Sequence, residues 1–242
     1  MAVLASDHAQ IIVDGYELSA DSNRITINDS AAVYDVTAFG DQVRKSIRGS
    51  RIITLDHSGY MDANTAHSHD VLNANAVDGV VSVVIGQNVA PISGDPMYSL
   101  VSLQSKYNTM PRVGSYVPFA ALFANRGDLG GWGKALAVGD SFTNTTNGDI
   151  LDGDNSSANG AMVLLHVLTN AASDTYNITI QGSNVADLSG AITLGTFTLD
   201  ASVLGAEHIK IAGTIPRYVR YRAVRTGSAG NPVKIAINLV RF

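Results

Sequence analysis

MVLLHVL at 162–168, YNITIQ at 176–181, ITLGTFTL at 192–199, HIKIA at 208–212, YVRYRAV at 218–224 and VKIAINLV at 233–240 follow one another at close intervals. Each run is short and carries the β-branched and aromatic residues that suit a pleated surface, and turn-forming residues separate the runs. This is the pattern of a β-sandwich.

Working upstream, Ile11-Ile12-Val13, Asp14-Gly15 and Tyr16-Glu17-Leu18 read as a hairpin, because Asp-Gly tolerates the positive φ of a tight turn. Arg24-Ile25-Thr26-Ile27 is a short alternating strand, Ala32–Phe39 is another, and Gly40-Asp41 breaks it. A strand resumes at Arg51–Leu55, which makes Asp41–Ser50 a polar, basic excursion expected to project from the body. Further strands are predicted at Val80–Ile85, Tyr98–Tyr107, Tyr116–Asn125 and Lys134–Val138. The one helix expected is Asp62–Val77, with Asp62 as N-cap, Ala66, His69, Leu72 and Ala76 at helical spacing, and Asp78-Gly79 as its stop. The predicted fold is thus mainly β and sandwich-like, with one flanking α-helix near residues 62–77. Residues 1–140 form a first β-sandwich part carrying the helix. The nearly apolar-free TNTTNGDILDGDNSSANG at 143–160 makes 141–160 a flexible acidic loop. Residues 161–242 form a second part, either packed with the first as one compact unit or standing as a second unit of the same kind.

Composition narrows the function. The chain has 242 residues, 45% of them hydrophobic, enough for a substantial core and against general disorder. Charged residues make up only 15%, below the usual share of about a quarter, which suits a surface partly covered by other chains. There is no cysteine, hence no disulfide, no thiolate nucleophile and no cysteine-based metal site. MAVLASDHAQ lacks the charged and apolar regions of a secretory signal, and no apolar run approaches the ~20 residues of a membrane span. The net charge of −5 is unevenly spread: residues 140–206 carry −7 with no Lys or Arg, whereas residues 207–242 carry +6. A bipolar protomer whose opposite faces meet in neighbouring copies is one reading, and ordinary solvated faces are the other.

Few residues suggest chemistry. His57, His67 and His69 lie near Asp56 and Asp70, but on a helix His67 and His69 point about 200° apart, so solvated or capping histidines fit better than a metal site. Asp149, Asp152 and Asp154 resemble a calcium loop without the sixth-position Gly or distal Glu of an EF-hand, so a flexible acidic loop is the better reading. No G-x-S-x-G elbow and no phosphate-binding loop is present, and Gly127–Gly133 reads as a turn around the only Trp. No catalytic, cofactor-binding or metal residue is assigned, and no cofactor is expected. Arg217, Arg220, Arg222 and Arg225, interleaved with Tyr218 and Tyr221, form a basic strand suited to inter-subunit salt bridges or to phosphates. The acidic balance, with a pI near 5.6, argues against tight DNA binding.

Several segments together resemble a known family. Val13–Ser19, Ile25–Ala31 and Tyr34–Asp41 are similar to the N-terminal region of the major tail proteins of long, non-contractile-tailed (siphovirus-like) bacteriophages. The likeness continues in order through Ser58–Asp62, His67–Leu72, Gly131-Trp132-Gly133 and Arg217–Arg220, and departs at Arg48-Gly49-Ser50-Arg51, where a longer, Gly-rich acidic connection is the rule. The resemblance implies a structural virion protein, not an enzyme, assembled in the host cytoplasm into stacked rings that form a tail tube for DNA ejection. It implies self-association, hexameric or trimeric with pseudo-sixfold symmetry, and contacts with tape measure, tail terminator and distal tail proteins. Double-stranded DNA would pass without tight binding, and no membrane would be entered. On this reading Arg44, Lys45, Arg48 and Arg51 are expected to dock on acids of the adjacent ring, with Arg217, Arg220 and Arg222 engaged by protein carboxylates. The rival readings are a carbohydrate-binding β-sandwich of a virion and, resting on the aspartate loop alone, a metal-dependent hydrolase.

Overall fold

The computed structural model describes residues 8–74, 79–87, 89–128, 130–169, 174–200, 202–227 and 230–242. β1 (Ala9–Val13) and β2 (Tyr16–Glu17) flank the predicted turn, with Asp14 and Gly15 both at positive φ. A Cβ on Gly15 would also meet the Gly205 nitrogen at 2.6 Å, so the position requires glycine twice over. β3 (Ser22–Asp35) and β4 (Ser46–Tyr60) are far longer than expected, because Asn28-Asp29-Ser30 continues the strand rather than interrupting it. α1 (Ser68–Asn73) lies inside the predicted 62–77 stretch but is shorter. Asp62 is not its N-cap: its carboxylate accepts from Asn64 in a local turn, and Ala66 at φ 65° blocks helix before His67. The first helical amide, from Ser68, donates instead to Asp21 at 2.8 Å, a partner 47 residues away. Residues 75–78, which hold the rest of the predicted helix and Asp78 of its stop, lie outside the described residues, and Gly79 opens the next strand.

β5 (Gly79–Ile85), β6 (Pro96–Thr109), β7 (Pro118–Asn125) and β8 (Gly131–Phe142) complete the first part. The second contains β9 (Thr146–Asn147), β10 (Leu151–Asp152), β11 (Ala161–Thr169), β12 (Thr175–Ser183), β13 (Ile192–Thr196), β14 (Gly205–Ile211), β15 (Tyr218–Thr226) and β16 (Val233–Arg241). The protein is mainly β, in two antiparallel sheets.

One sheet runs through both parts, in the order β14-β11-β16-β8-β6-β5-β1-β2, and folds over itself at two shared strands. β8 pairs with β6 through Gly131–Lys134 and with β16 through Lys134–Phe142. The bend falls at Gly131-Trp132-Gly133, where a Cβ on Gly133 would lie 2.2 Å from the Leu239 carbonyl oxygen. β6 likewise pairs with β5 through Met97–Ser102, then with β7 through Ser102–Thr109, and β7 carries β4 and β3.

The result is layered. The second sheet, β10-β15-β12-β13 with β9 beside β15, covers one face of β11, β16 and β8 through Val163, Leu165, Tyr176, Ile178, Ile180, Tyr221 and Ile237. The opposite face of β11 and β16 packs on β5 and β6 through Val80, Val101, Met162, Leu164 and Val240. The far face of β1, β5 and β6 meets β4, β7 and α1 through Ile11, Val81, Tyr98, Leu55, Leu72, Phe119 and Phe123. Strands buried on both faces read as continuous apolar runs, which is why GVVSVVI and AMVLLHV lack alternation.

Their polar exceptions find one another. His166, Ser82, Ser99 and Asn238 are fully buried where β11 and β16 meet β5 and β6. The Gly15 amide donates to His166 Nδ1 (3.3 Å), so Nε2 carries the proton and donates to Ser82 Oγ (2.8 Å). Ser82 and Ser99 hydroxyls are 2.7 Å apart, and Asn238 Nδ2 donates to Ser99 Oγ (2.8 Å) and to the Met97 carbonyl (3.0 Å). Burial lowers the His166 pKa to about 3, so this chain joins the layers through a neutral ring.

Candidate interaction surfaces

The most distinctive surface is the β3–β4 hairpin. The two strands pair from Ser22↔Gly59 to Asp35↔Ser46, but β4 gains its second neighbour, β7, only from Thr54 onward. Ile53 is already buried in the core, so residues 46–52 and their β3 partners form a free two-stranded arm, about 23 Å long at ~3.3 Å per residue. Such a ribbon is marginal alone in water. Yet it exposes Val33, Tyr34, Ile47 and Ile52 along its length and Val36, Phe39 and Val43 around its tip, with Phe39 fully exposed.

The arm's charges are largely satisfied internally. Arg44 pairs with Asp35 at 2.7 Å, Lys45 with Asp41, and Arg51 with Asp29. Asp35 also accepts from the Thr37 hydroxyl and amide, and Asp41 from the Ala38 amide, which orders the tip. Hydrogen bonds from Thr37 and Arg44 lower the Asp35 pKa, and the Lys45 and Arg51 contacts lower those of Asp41 and Asp29. Arg48 and Arg51 lie within β4 rather than in a loop, since the strand begins at Ser46. No ion pair of Arg48 is found among the described residues. What the arm offers outward is thus mainly apolar. Sequence reasoning singled out its cations and passed over Phe39 and Val43. The signal was present: Val36, Phe39 and Val43 bracket the Gly40-Asp41 break, where no core is within reach.

The arginine strand is β15. Val219, Tyr221 and Ala223 turn into the core, and Arg222 stands exposed. Arg217 makes a two-pronged contact with Asp152 (2.7 and 2.6 Å), which lowers the Asp152 pKa to about 2, and it also lies over the Tyr218 ring. Arg225 pairs with the fully buried Asp174 at 3.0 Å, and Arg220 donates to the Gln181 amide oxygen. Tyr221 donates to Asp140 at 2.8 Å. The acidic and basic segments therefore meet within the chain at both ends of the strand. The stretch 141–160 takes part, supplying β9, β10 and the buried Leu151.

Other sequence-level candidates are structural. Among the described residues, one group of three candidate metal ligands comes together: Asp21, Asp62 and His67, with ligand atoms all within 4.8 Å of one another. Asp21 is already the acceptor for the start of α1. His69 contacts the Tyr107 hydroxyl at 3.0 Å. His57 is buried against Phe119, and Ser22, whose hydroxyl donates to the Leu18 carbonyl, accepts from its Nε2 at 2.6 Å. Burial lowers the His57 pKa to about 4. Trp132 is half-exposed at the β8 bend, edge-on to Tyr98, beside a depression of about 290 Å³ that Lys134, Asp154 and Arg241 also line. No helix among the described residues is long and apolar enough to cross a membrane.

No protein-family model matches this chain, and no curated protein matches it. Among solved structures, it is similar to a chain in the virion of a native gene transfer agent particle, at 13% identity and TM-score 0.42 over 54% of this chain and 98% of that one. A chain in the tail of an empty gene transfer agent particle, refined with C6 symmetry, matches at 12% identity and TM-score 0.39 over 52% and 96%. The Dit (gp 19.1) protein of SPP1, described as a hub adsorption apparatus of phages infecting Gram-positive hosts, matches at 9% identity and TM-score 0.33 over 96% and 98%. At scores of 0.33 to 0.42, these likenesses assign neither family nor role.

Proposed function

We propose that this is a structural virion protein of a long-tailed phage type, which associates with copies of itself into stacked rings forming a tail tube for DNA. The observation that carries the reading is the projecting arm. A marginal two-stranded ribbon with exposed apolar residues, and with most of its charges already paired, gains stability by being covered. The ordered likeness of the sequence to tail tube proteins supports it, as do the low charge content and the acidic balance, which repels a duplex. The described residues hold one arm of this kind per chain, which fits one tube-type unit per chain and six chains per ring. Tape measure, terminator and distal tail proteins would meet the ends of the tube. The test is electron microscopy and light scattering of purified protein across concentration and salt. Rings or tubes are expected; a monomer at millimolar concentration under every condition would overturn the proposal. The half-exposed Trp132 is the observation favouring a carbohydrate-binding module instead, and that reading requires glycan binding that Trp132→Ala abolishes.

A further inference from the structure

The arm has an acceptor at the opposite end of its own strand. β4 runs from Ser46 beside the tip to Tyr60, where Tyr60 pairs with Pro118 and the Met61 amide donates to the Val117 carbonyl. There the β6–β7 loop, 110–117, presents a second exposed apolar group: Met110, Val113 and Tyr116, with Tyr116 81% exposed and its ring 5.8 Å from that of Tyr60. The tip and this shelf are separated by the whole of β4, about 45 Å at ~3.3 Å per residue. An arm held in its own sheet does not reach its own shelf.

We infer that the tip of one copy, through Phe39 and Val43, docks on the Tyr60–Tyr116 shelf of the next copy, joining identical chains head to tail along the direction of β4. The occupant is a second copy for two reasons. Both patches are apolar and present on every chain, and they lie at opposite ends of one strand, so a displacement along that strand brings tip to shelf in each successive copy without closing on itself. Charge plays no part in the match: the shelf loop itself carries Arg112, and Asp62 and Asp70 already accept from Asn64 and from the Ala66 amide. The inference rests on the self-assembly reading above and adds its acceptor and polarity. The repeat along the assembly would not exceed about 45 Å, because the two patches overlap.

The test uses two full-length surface variants, Phe39→Ser/Val43→Ser at the tip and Val113→Ser/Tyr116→Ser at the shelf. All four side chains are largely solvent-exposed, and unchanged thermal unfolding would verify that both variants fold. Each alone is expected to stop at the smallest assembled unit. Mixed, they are expected to form a species of twice that mass and no larger, because one supplies an intact tip and the other an intact shelf. Wild-type assembly that the shelf variant leaves unchanged, or a mixture that does not double in mass, overturns the inference while leaving self-assembly standing. Wild-type protein that never associates overturns the reading beneath it.

Discussion

Acidification should weaken this protein well above the pH at which its carboxylates titrate, through two buried histidines. His166 sits between layers with Nδ1 accepting from the Gly15 amide, so protonation would set one N–H against another. His57 donates from Nε2 to Ser22, and no partner of its Nδ1 is found among the described residues. Their folded pKa values, about 3 and about 4, lie below the ordinary 6.5 of an unfolded histidine. The unfolded chain therefore binds more protons, and stability is lost as pH falls from about 6.5 toward the folded values. At about pH 4.5 an unfolded histidine lies two units below its pKa, which at ~1.4 kcal/mol per unit costs the native state roughly 2.5 kcal/mol per ring. Together the two cost about 5 kcal/mol, comparable to the total stability of many domains. Urea denaturation followed by far-UV circular dichroism, from about pH 7 to 4.5, reads this as a falling midpoint. In His166→Gln the loss over the same interval should shrink by about half, whatever that variant's stability at neutral pH. A midpoint flat across this range, or an equal slope in the variant, would refute the reasoning.

Three further outcomes are expected. Gly133→Ala places a Cβ against the Leu239 carbonyl at the bend of β8 and should cost about 2–3 kcal/mol, read as a lowered denaturation midpoint. Asp174→Ala removes the acceptor of the Arg225 side chain and of the Gly230 and Asn231 amides, and should cost about 3 kcal/mol by the same assay. Assembly through an apolar tip should survive about 1 M NaCl, where screening acts within ~3 Å; light scattering showing dissociation there would return the contact to the arm's cations.

Local chemistry settled much of the fold in advance. Asp14-Gly15 dictated a tight turn because few other pairs accept two positive φ values, and the close-set apolar runs after residue 161 could form little but strands. The sequence also indicated that a segment leaves the body at Asp41–Ser50, since a break lies between two strand-forming stretches. The tertiary structure alone decided how far it projects, because that depends on where β7 stops pairing with β4, at Thr54 and Ala124, which lie 70 residues apart. The helix shows the same division. Its apolar spacing was legible, but its start was set by a backbone reversal at Ala66 and by the distant Asp21. The acidic and basic segments were plain in the composition, and only the meeting of β10 with β15 decided that Asp152 answers Arg217 within one chain. Periodicity reports what a residue does to its near neighbours; burial on two faces, the partner of a charge and the patches left uncovered follow from segments that only folding brings together.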